Sequence, residues 1–349
     1  MTPQTLMERI ALGDVVQDAD LRGAPLAGLD LSGAMFDGVD LRGADLSACL
    51  LVDCRFNGCR LDGCRLEGAD LSECSFLRCA FAGARLAAAN LTGAALVECD
   101  LSGADLAGGT LDRSTFFQSD LRDACLRTQA IDRAVFSESR MDGVDLSGTV
   151  LTFVNFHRLD LRTVRLAEAH GESAMFVECD LTGHDFTGQR FTLCQFTDAR
   201  LDGADFSGAV LTQSNFKGAS LKRAVFTGAD AARCLFPQAD LSGAVCRGAR
   251  FDQGIWAGAI VEGADFSGAS LWQCVFHGAV CADADFSHAR MEDTDFKMAD
   301  LSRADLRGAH VLRLRLHRAL TADARWSSRA GVIENDPELL EAELWSASH

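Results

Sequence analysis

Ala44-Asp45-Leu46-Ser47-Ala48 is one unit of a five-residue pattern that runs from Leu21 to Leu316 without a slip in phase. Ala264-Asp265-Phe266-Ser267-Gly268 is the same unit far downstream. The central position is Leu, Phe or a close substitute, with Gly171 and Ala231 the clearest exceptions. The residue two places before it is small, usually Ala, Cys or Ser. An amphipathic helix repeats every ~3.6 residues and an ordinary strand every ~2, so a period of five fits neither. It marks a repeat architecture, in which stacking of units sets the fold and local propensity counts for little.

A longer period lies over the first. Phe or Trp takes the central position at 36, 56, 76, 116, 136, 156, 176, 196, 216, 236, 256, 276 and 296, every twentieth residue, interrupted only by Leu96. The series that start at Leu21 and Leu31 are mostly aliphatic instead. Four pentads per turn place like residues directly above one another, which predicts a parallel β-solenoid with four faces per coil.

The units Ala69-Asp70-Leu71-Ser72 and Ala299-Asp300-Leu301-Ser302 follow an Ala-(Asp/Asn)-(Leu/Phe)-(Ser/Thr)-x pattern. The chain thereby resembles the pentapeptide repeat family over about 85% of its length. This resemblance implies an all-β fold, a right-handed quadrilateral parallel β-helix whose central and small positions point inward and whose other three point outward. Sixty pentads amount to about fifteen coils, roughly 70 Å at a strand spacing of ~4.8 Å. Fully burying each Leu or Phe contributes ~1.5–3 kcal/mol before entropy is subtracted.

The open ends of such a stack are exposed β edges and need covering. Residues 1–15 are expected to form an N-terminal capping helix. Thr2-Pro3 suits the N-cap and first helical position, Leu6 and Ile10 share one face, and Gly13 ends the helix. The β-helix is expected over 16–320 and a C-terminal capping segment over 321–349. There Asp336-Pro337 opens a short amphipathic helix carrying Leu339, Leu340, Leu344 and Trp345. That helix either covers the end or forms the contact of a homodimer.

Composition narrows the function classes. A formal net charge of −17 argues against direct binding to nucleic acid or an anionic membrane. No apolar run approaches the ~20 residues of a membrane span, so no membrane insertion is expected. Met1-Thr2-Pro3-Gln4-Thr5 lacks the basic stretch and apolar core of a signal peptide, and a cytoplasmic location is expected. Eleven of the fourteen Cys occupy the small position, Cys246 and Cys281 the central one, and Cys125 the place beside it. They read as reduced thiols acting as small hydrophobes.

Chemistry is sparse. Cys49, Cys54, Cys59 and Cys64 fall in successive pentads, but Leu51, Phe56, Leu61 and Leu66 are expected to fill the same coil and leave no room for a tetrahedral metal. The stacked pairs among Cys59, Cys79 and Cys99 are near enough for disulfides, yet their parallel side-chain directions are poorly aimed. His184 and Gln189 take inward positions, Gln129 is a further inward polar residue, and His170-Gly171-Glu172 puts Gly at a core position, which suggests a bulge or a water-filled defect. No phosphate loop, Gly-x-Ser-x-Gly elbow or HExxH helix occurs. No catalytic residue, cofactor or metal is expected.

The outward positions carry the functional signal. Twenty Asp stand just before a central residue, eight on each of two adjacent faces, among them Asp100, Asp105, Asp120, Asp145, Asp180, Asp185 and Asp205. The face backed by the Phe ladder is nearly neutral. Between 225 and 280 the same outward position holds Val225, Leu235, Val245, Ile255, Ile260, Val275 and Val280, with Trp272 nearby. Contiguous exposed apolar surface marks contacts, so this zone is the expected protein interface.

A non-enzymatic scaffold for a protein partner is therefore expected. The chain length, the lead-in Met7-Glu8-Arg9-Ile10-Ala11-Leu12-Gly13-Asp14 and the Phe-rich second half resemble pentapeptide repeat proteins found with bacterial type VI secretion components. The alternative is an acidic DNA mimic binding DNA gyrase or topoisomerase IV, as quinolone-resistance pentapeptide proteins do. B-DNA carries one charge per ~1.7 Å, about forty over ~70 Å, against which the chain's own charge is a thin imitation.

Overall fold

Each pentad turns its corner at the residue two places after the central one. At Leu21-Arg22-Gly23-Ala24 the Ala24 N–H donates to the Leu21 carbonyl at 3.1 Å and Gly23 has φ +63°. That is a type II turn, which demands positive φ at its third residue and so selects Gly. The same conformation recurs at Asp53 (φ +56°), Arg113 (+58°) and Glu178 (+54°), where the repeat imposes it on residues that disfavour it.

The computed structural model describes residues 1–347, with the side chains of Leu344 and Ala347 outside the described set. The chain is a parallel β-solenoid of about sixteen turns with a short helix near each end. It divides into two compact units, Met1–Cys179 and Asp180–His349.

In the first unit the Phe-backed face is a nine-stranded parallel sheet running from Val15–Gln17 to Met175–Val177. Its register is the twenty-residue period itself, Phe36 opposite Phe56 and Phe56 opposite Phe76. Other faces pair mostly through single bridges such as Asp45 with Arg65. His170–Glu172 is a regular strand in register with Val150–Thr152, Gly171 opposite Leu151, so the backbone there shows no bulge. Gln129 departs from expectation. It is exposed, and its neighbour Thr128 is buried, the Thr128 hydroxyl donating to the Ala130 carbonyl at 3.2 Å. A β-branched residue at the corner position resists positive φ, so the turn opens and the two side chains exchange places.

The second unit pairs mainly through single bridges, Leu235 with Ile255 and Ile255 with Val275 among them. Two ends account for the turn beyond the fifteen expected. Val16, fully buried, adds a rung before Leu21, and Arg325–Trp326 pairs with Asp305–Leu306 in the same twenty-residue register. Coil structure thus continues past residue 320, the boundary expected from sequence. The last rung packs from one side only, and its core position is the half-buried Trp326, so the Leu/Phe signal fades there.

The core is a set of stacked rings. In the first unit Phe36–Phe56 and Phe136–Phe156 stack with centroids 4.7 and 5.3 Å apart. The second unit has two ladders, Phe196-Phe216-Phe236-Trp256-Phe276-Phe296 and, two pentads away, a series that includes Phe186, Phe206, Phe226, Phe266 and Phe286. Their rings meet edge to face, as Phe206 does with Phe216 at 6.0 Å, the geometry ring quadrupoles favour. Cys246 interrupts the second ladder, and in the same coil Phe251 and Trp256 make a T-shaped contact at 5.1 Å. Gly254 in the small position makes room for the indole, since a Cβ there would lie 2.9 Å from Trp256 Nε1.

No disulfide joins the fourteen Cys, and thirteen of them are buried. Several donate to a carbonyl of the preceding coil, as Cys49 does to Leu26 at 2.9 Å and Cys234 to Leu211 at 2.9 Å. Burial pushes the Cys64 and Cys234 thiols up to about 12.

Helix α1 (Pro3–Ala11) is capped by Thr2, whose hydroxyl accepts from the Thr5 N–H at 3.2 Å, and it buries Leu6. Arg9 ties it to the first strand through the Val15 carbonyl at 2.7 Å. Helix α2 (Pro337–Ala347) starts at Asp336, whose carboxylate accepts from the Leu339 N–H at 3.0 Å.

Candidate functional site

The seven aliphatic residues of the expected interface fall into three stacked columns. Leu235, Ile255 and Val275 form one on the Phe-backed face. Ile260 and Val280 form the next, on the face that follows around the coil. Val225 and Val245 bridge each other one face further on, across the coil from the first column. A single flat patch of all seven is therefore not what the fold builds. Two columns adjoin: Ile255, Ile260 and Val280 are 41%, 37% and 37% exposed, and Leu235 and Val275 are half-buried beside them. The corner between Ile255 and Ile260 carries only Ala257 and Gly258 beyond the core Trp256, whereas the exposed His277 stands at the corner between Val275 and Val280. Trp272 stands at the corner before the Phe-backed face, away from the Ile260 column. The twenty-residue register that sorts the acidic positions by face also separates these residues, with 235, 255 and 275 in one series, 260 and 280 in the next, and 225 and 245 in a third.

The acidic residues serve the turns. Asp100, Asp105, Asp120, Asp145, Asp180, Asp185 and Asp205 each accept the backbone N–H two residues on, at 2.8–3.1 Å. This Asx turn across the corner is why Asp-Leu-Ser recurs. Arginines answer several of the charges. Asp120 meets Arg122 at 2.6 Å and Arg140 at 3.6 Å, Asp145 meets Arg165 at 3.3 Å and Arg127 at 3.5 Å, and Asp180 meets Arg200 at 3.6 Å. The Arg122 side chain holds the Asp120 carboxyl below its usual range, and hydrogen bonds from Thr187 do the same for Asp185. For Asp145 burial works upward and is outweighed by Ser147 and Arg165.

On α2, Leu339 and Trp345 are exposed, Leu340 is half-buried, and the Leu344 side chain lies outside the described residues. One carboxylate docks the helix. Glu343 accepts from Lys297 Nζ at 3.0 Å, Arg318 Nη1 at 3.1 Å and His317 Nε2 at 3.1 Å. His317 Nδ1 accepts the Asp336 N–H at 3.2 Å, which fixes the proton on Nε2. Lys297, then His317 and Arg318, hold the Glu343 carboxyl down at about 2.

His184 and Gln189 are inward and buried, His184 tilted against Phe186 with ring centroids 5.6 Å apart. Among the described residues no three His, Cys, Asp or Glu side chains are grouped as metal ligands, and no helix is long and apolar enough to cross a membrane.

Twenty-residue coils closed by type II corners, with an inward Leu/Phe ladder, define a quadrilateral β-solenoid repeat protein. Comparison with known families agrees. A model described as pentapeptide repeat region matches residues 29–106, and one described as pentapeptide repeats (8 copies) matches 131–167, 190–228, 219–255 and 259–297. These matches span more than half of the chain, which belongs to the pentapeptide repeat family. Among solved structures it is similar to HetL, a pentapeptide repeat protein involved in heterocyst differentiation regulation from the cyanobacterium Nostoc sp. strain PCC 7120. Identity is 23% over 95% of this chain and 99% of that one, with a TM-score of 0.26. It is also similar to full-length QnrB1, a plasmid-mediated fluoroquinolone resistance protein, at 17% identity over 73% and 100% of the two chains, TM-score 0.20. Rfr23 from the cyanobacterium Cyanothece 51142 is 17% identical over 46% and 91%, TM-score 0.14. No curated protein matches the sequence. Proteins of this family are generally non-enzymatic structural scaffolds.

Proposed function

We propose that this chain is a non-enzymatic protein-binding scaffold that docks a partner along Leu235, Ile255, Val275, Ile260 and Val280. One observation carries the proposal: two aliphatic columns, Leu235-Ile255-Val275 and Ile260-Val280, adjoin across a corner that at Ile255–Ile260 holds only Ala257 and Gly258. The surrounding core is the double ring ladder, so the strip is held rigid and loses little entropy on binding. A cytoplasmic setting suits fourteen Cys without disulfides. A role as an accessory or adaptor of a bacterial type VI secretion system is the specific form of this proposal, supported by the resemblance of the Met7–Asp14 lead-in.

DNA mimicry, the other function the family resemblance implies, needs carboxylates presented to a partner. Here the acidic positions are committed to turn N–H groups, and several are neutralised by Arg122, Arg140, Arg165 and Arg200. Scaffolding accounts for the surface better.

Affinity capture from cells that make the protein distinguishes the two. Secretion components retained by wild type and by Val225→Asp, but lost with Ile255→Asp or Ile260→Asp, are the expected result. Val225 lies on another face and serves as a control for folding. Recovery of gyrase or topoisomerase IV subunits, competed off by duplex DNA and indifferent to Ile255→Asp, would overturn the scaffold proposal in favour of mimicry.

A further inference from the structure

Trp272 is the exposed aromatic of the second unit's coil wall, 39% accessible at the corner before the Phe-backed face. Open depressions flank it. One, of about 320 Å³, lies between Trp272 and the buried Ala232, with Arg250 and Asp252 on one side and Arg233 and Gln253 on the other. The second, of about 350 Å³, runs from Trp272 toward Leu312 between Arg290, Glu292, Asp293 and Arg313. Ala232 makes the first depression because its stacked neighbours at this corner, Thr212 and Asp252, carry larger side chains.

The charges around the groove cancel. Arg250 pairs with Asp230 at 2.6 Å, Arg290 with Glu292 at 3.4 Å and Arg313 with Asp293 at 2.5 Å. The rest is a relay of planar polar groups. Arg233 Nε donates to Gln253 Oε1 at 2.9 Å, Gln253 Nε2 donates to Gln273 Oε1 at 3.0 Å, and the Ser270 hydroxyl donates to Asp252 at 2.5 Å. A locally neutral groove offers nothing to attract a polyanion. Nor can it add a peptide strand, because the corner N–H groups are already used between coils: Gln253 N–H donates to the Trp272 carbonyl at 2.7 Å and Gln273 N–H to Glu292 at 2.9 Å.

We propose that this corner groove binds an extended, uncharged glycan laid along the stacking direction of the coils. The indole supplies an apolar platform for the C–H face of a sugar ring. The amide, guanidinium and carboxylate groups on either side supply both donors and acceptors, which is what hydroxyls require. These groups repeat at the coil spacing of ~4.8 Å, close to the advance of one ring in an extended β-linked chain.

A printed array of neutral and acidic glycans, followed by calorimetric titration with neutral hexasaccharides such as cellohexaose and chitohexaose, tests the assignment. Binding of at least one neutral extended glycan is expected, weakened about tenfold or more by Trp272→Ala and also reduced by Asp252→Ala. Trp345→Ala is expected to leave it unchanged. Circular dichroism and thermal melting report whether Trp272→Ala still folds, and Trp272→Phe is expected to restore part of the affinity. The proposal is overturned if no neutral glycan binds, if acidic glycans bind as tightly, or if binding survives Trp272→Ala. Capture of a protein that depends on Trp272 while no glycan binds would likewise overturn it.

Discussion

Asp305 shows how much a single corner carboxylate does. Its side chain is 7% exposed, accepts the Arg307 N–H at 3.1 Å, and pairs with Arg307 at 2.7 Å and Arg325 at 3.1 Å. The Arg307 side chain, foremost, lowers its pKa from 3.8 to about 2. A carboxyl depressed on folding stabilises fully above its unfolded value, so this contribution holds above about pH 4 and fades as pH falls toward 2. Asp305→Asn is expected to cost about 1–3 kcal/mol at neutral pH and to flatten that part of the acid-unfolding curve followed by circular dichroism. Gly254 is the opposite kind of residue, chosen for what it lacks. Gly254→Ala brings a Cβ to 2.9 Å from Trp256 Nε1 and 2.8 Å from the Phe251 carbonyl, and about 1–3 kcal/mol of destabilisation is expected. Combined with Trp256→Phe the two costs should be less than additive, because the indole contact is gone; strict additivity in a urea double-mutant cycle would refute the packing account.

At the scale of elements, the ring ladder and the C-terminal helix are held by different forces. Phe216 stacks between Phe196 and Phe236 at 4.8 and 5.0 Å and meets Phe206 and Phe226 edge-on. Phe216→Ala is expected to cost about 3–5 kcal/mol, and Phe216→Leu distinctly less, because Leu already fills the same position elsewhere in the coil. Urea unfolding measures both. Helix α2 instead rests on Glu343 and its partners Lys297, His317 and Arg318. Glu343→Gln is expected to raise hydrogen exchange over 337–347 while the coil amides stay protected. With the Glu343 carboxyl lowered from 4.5 to about 2, wild-type docking should persist above about pH 4.5 and loosen as pH falls toward 2. The core ladder on the Phe-backed face was legible in sequence because every twentieth residue is aromatic. The second ladder from Phe186 was less so: its first half is Leu, and Cys246 interrupts it. Exchange of Thr128 for Gln129 was not legible, since it depends on how one corner accommodates a β-branched residue.

At the scale of the whole molecule, thiol reactivity and size are the simplest readouts. Cys125 is half-buried and the other thirteen thiols are buried. One fast-reacting thiol is expected with a neutral aromatic disulfide reagent, and fourteen after denaturation. Several fast thiols in the native protein would contradict the packed core. Exposed Leu339 and Trp345 on α2 suit a contact with a second copy of the chain. Light scattering after size exclusion tests this: a dimer that becomes a monomer on deleting 336–349 is expected, and an unchanged mass would dismiss the helix as the contact.

The pentad determined the fold by itself. A five-residue beat with a twenty-residue harmonic leaves one way to stack small and large side chains inward, and a corner that needs positive φ explains the Gly. Tertiary structure decided the surface. Whether Asp120 meets Arg140, and whether Asp145 meets Arg165, depends on which side chains the stacked coils bring together. Those contacts join residues about twenty apart along the chain, and no local pattern records them. The chain's repeat therefore specifies nearly all of its core, while its outward positions acquire their cross-coil partners only once the coils are stacked.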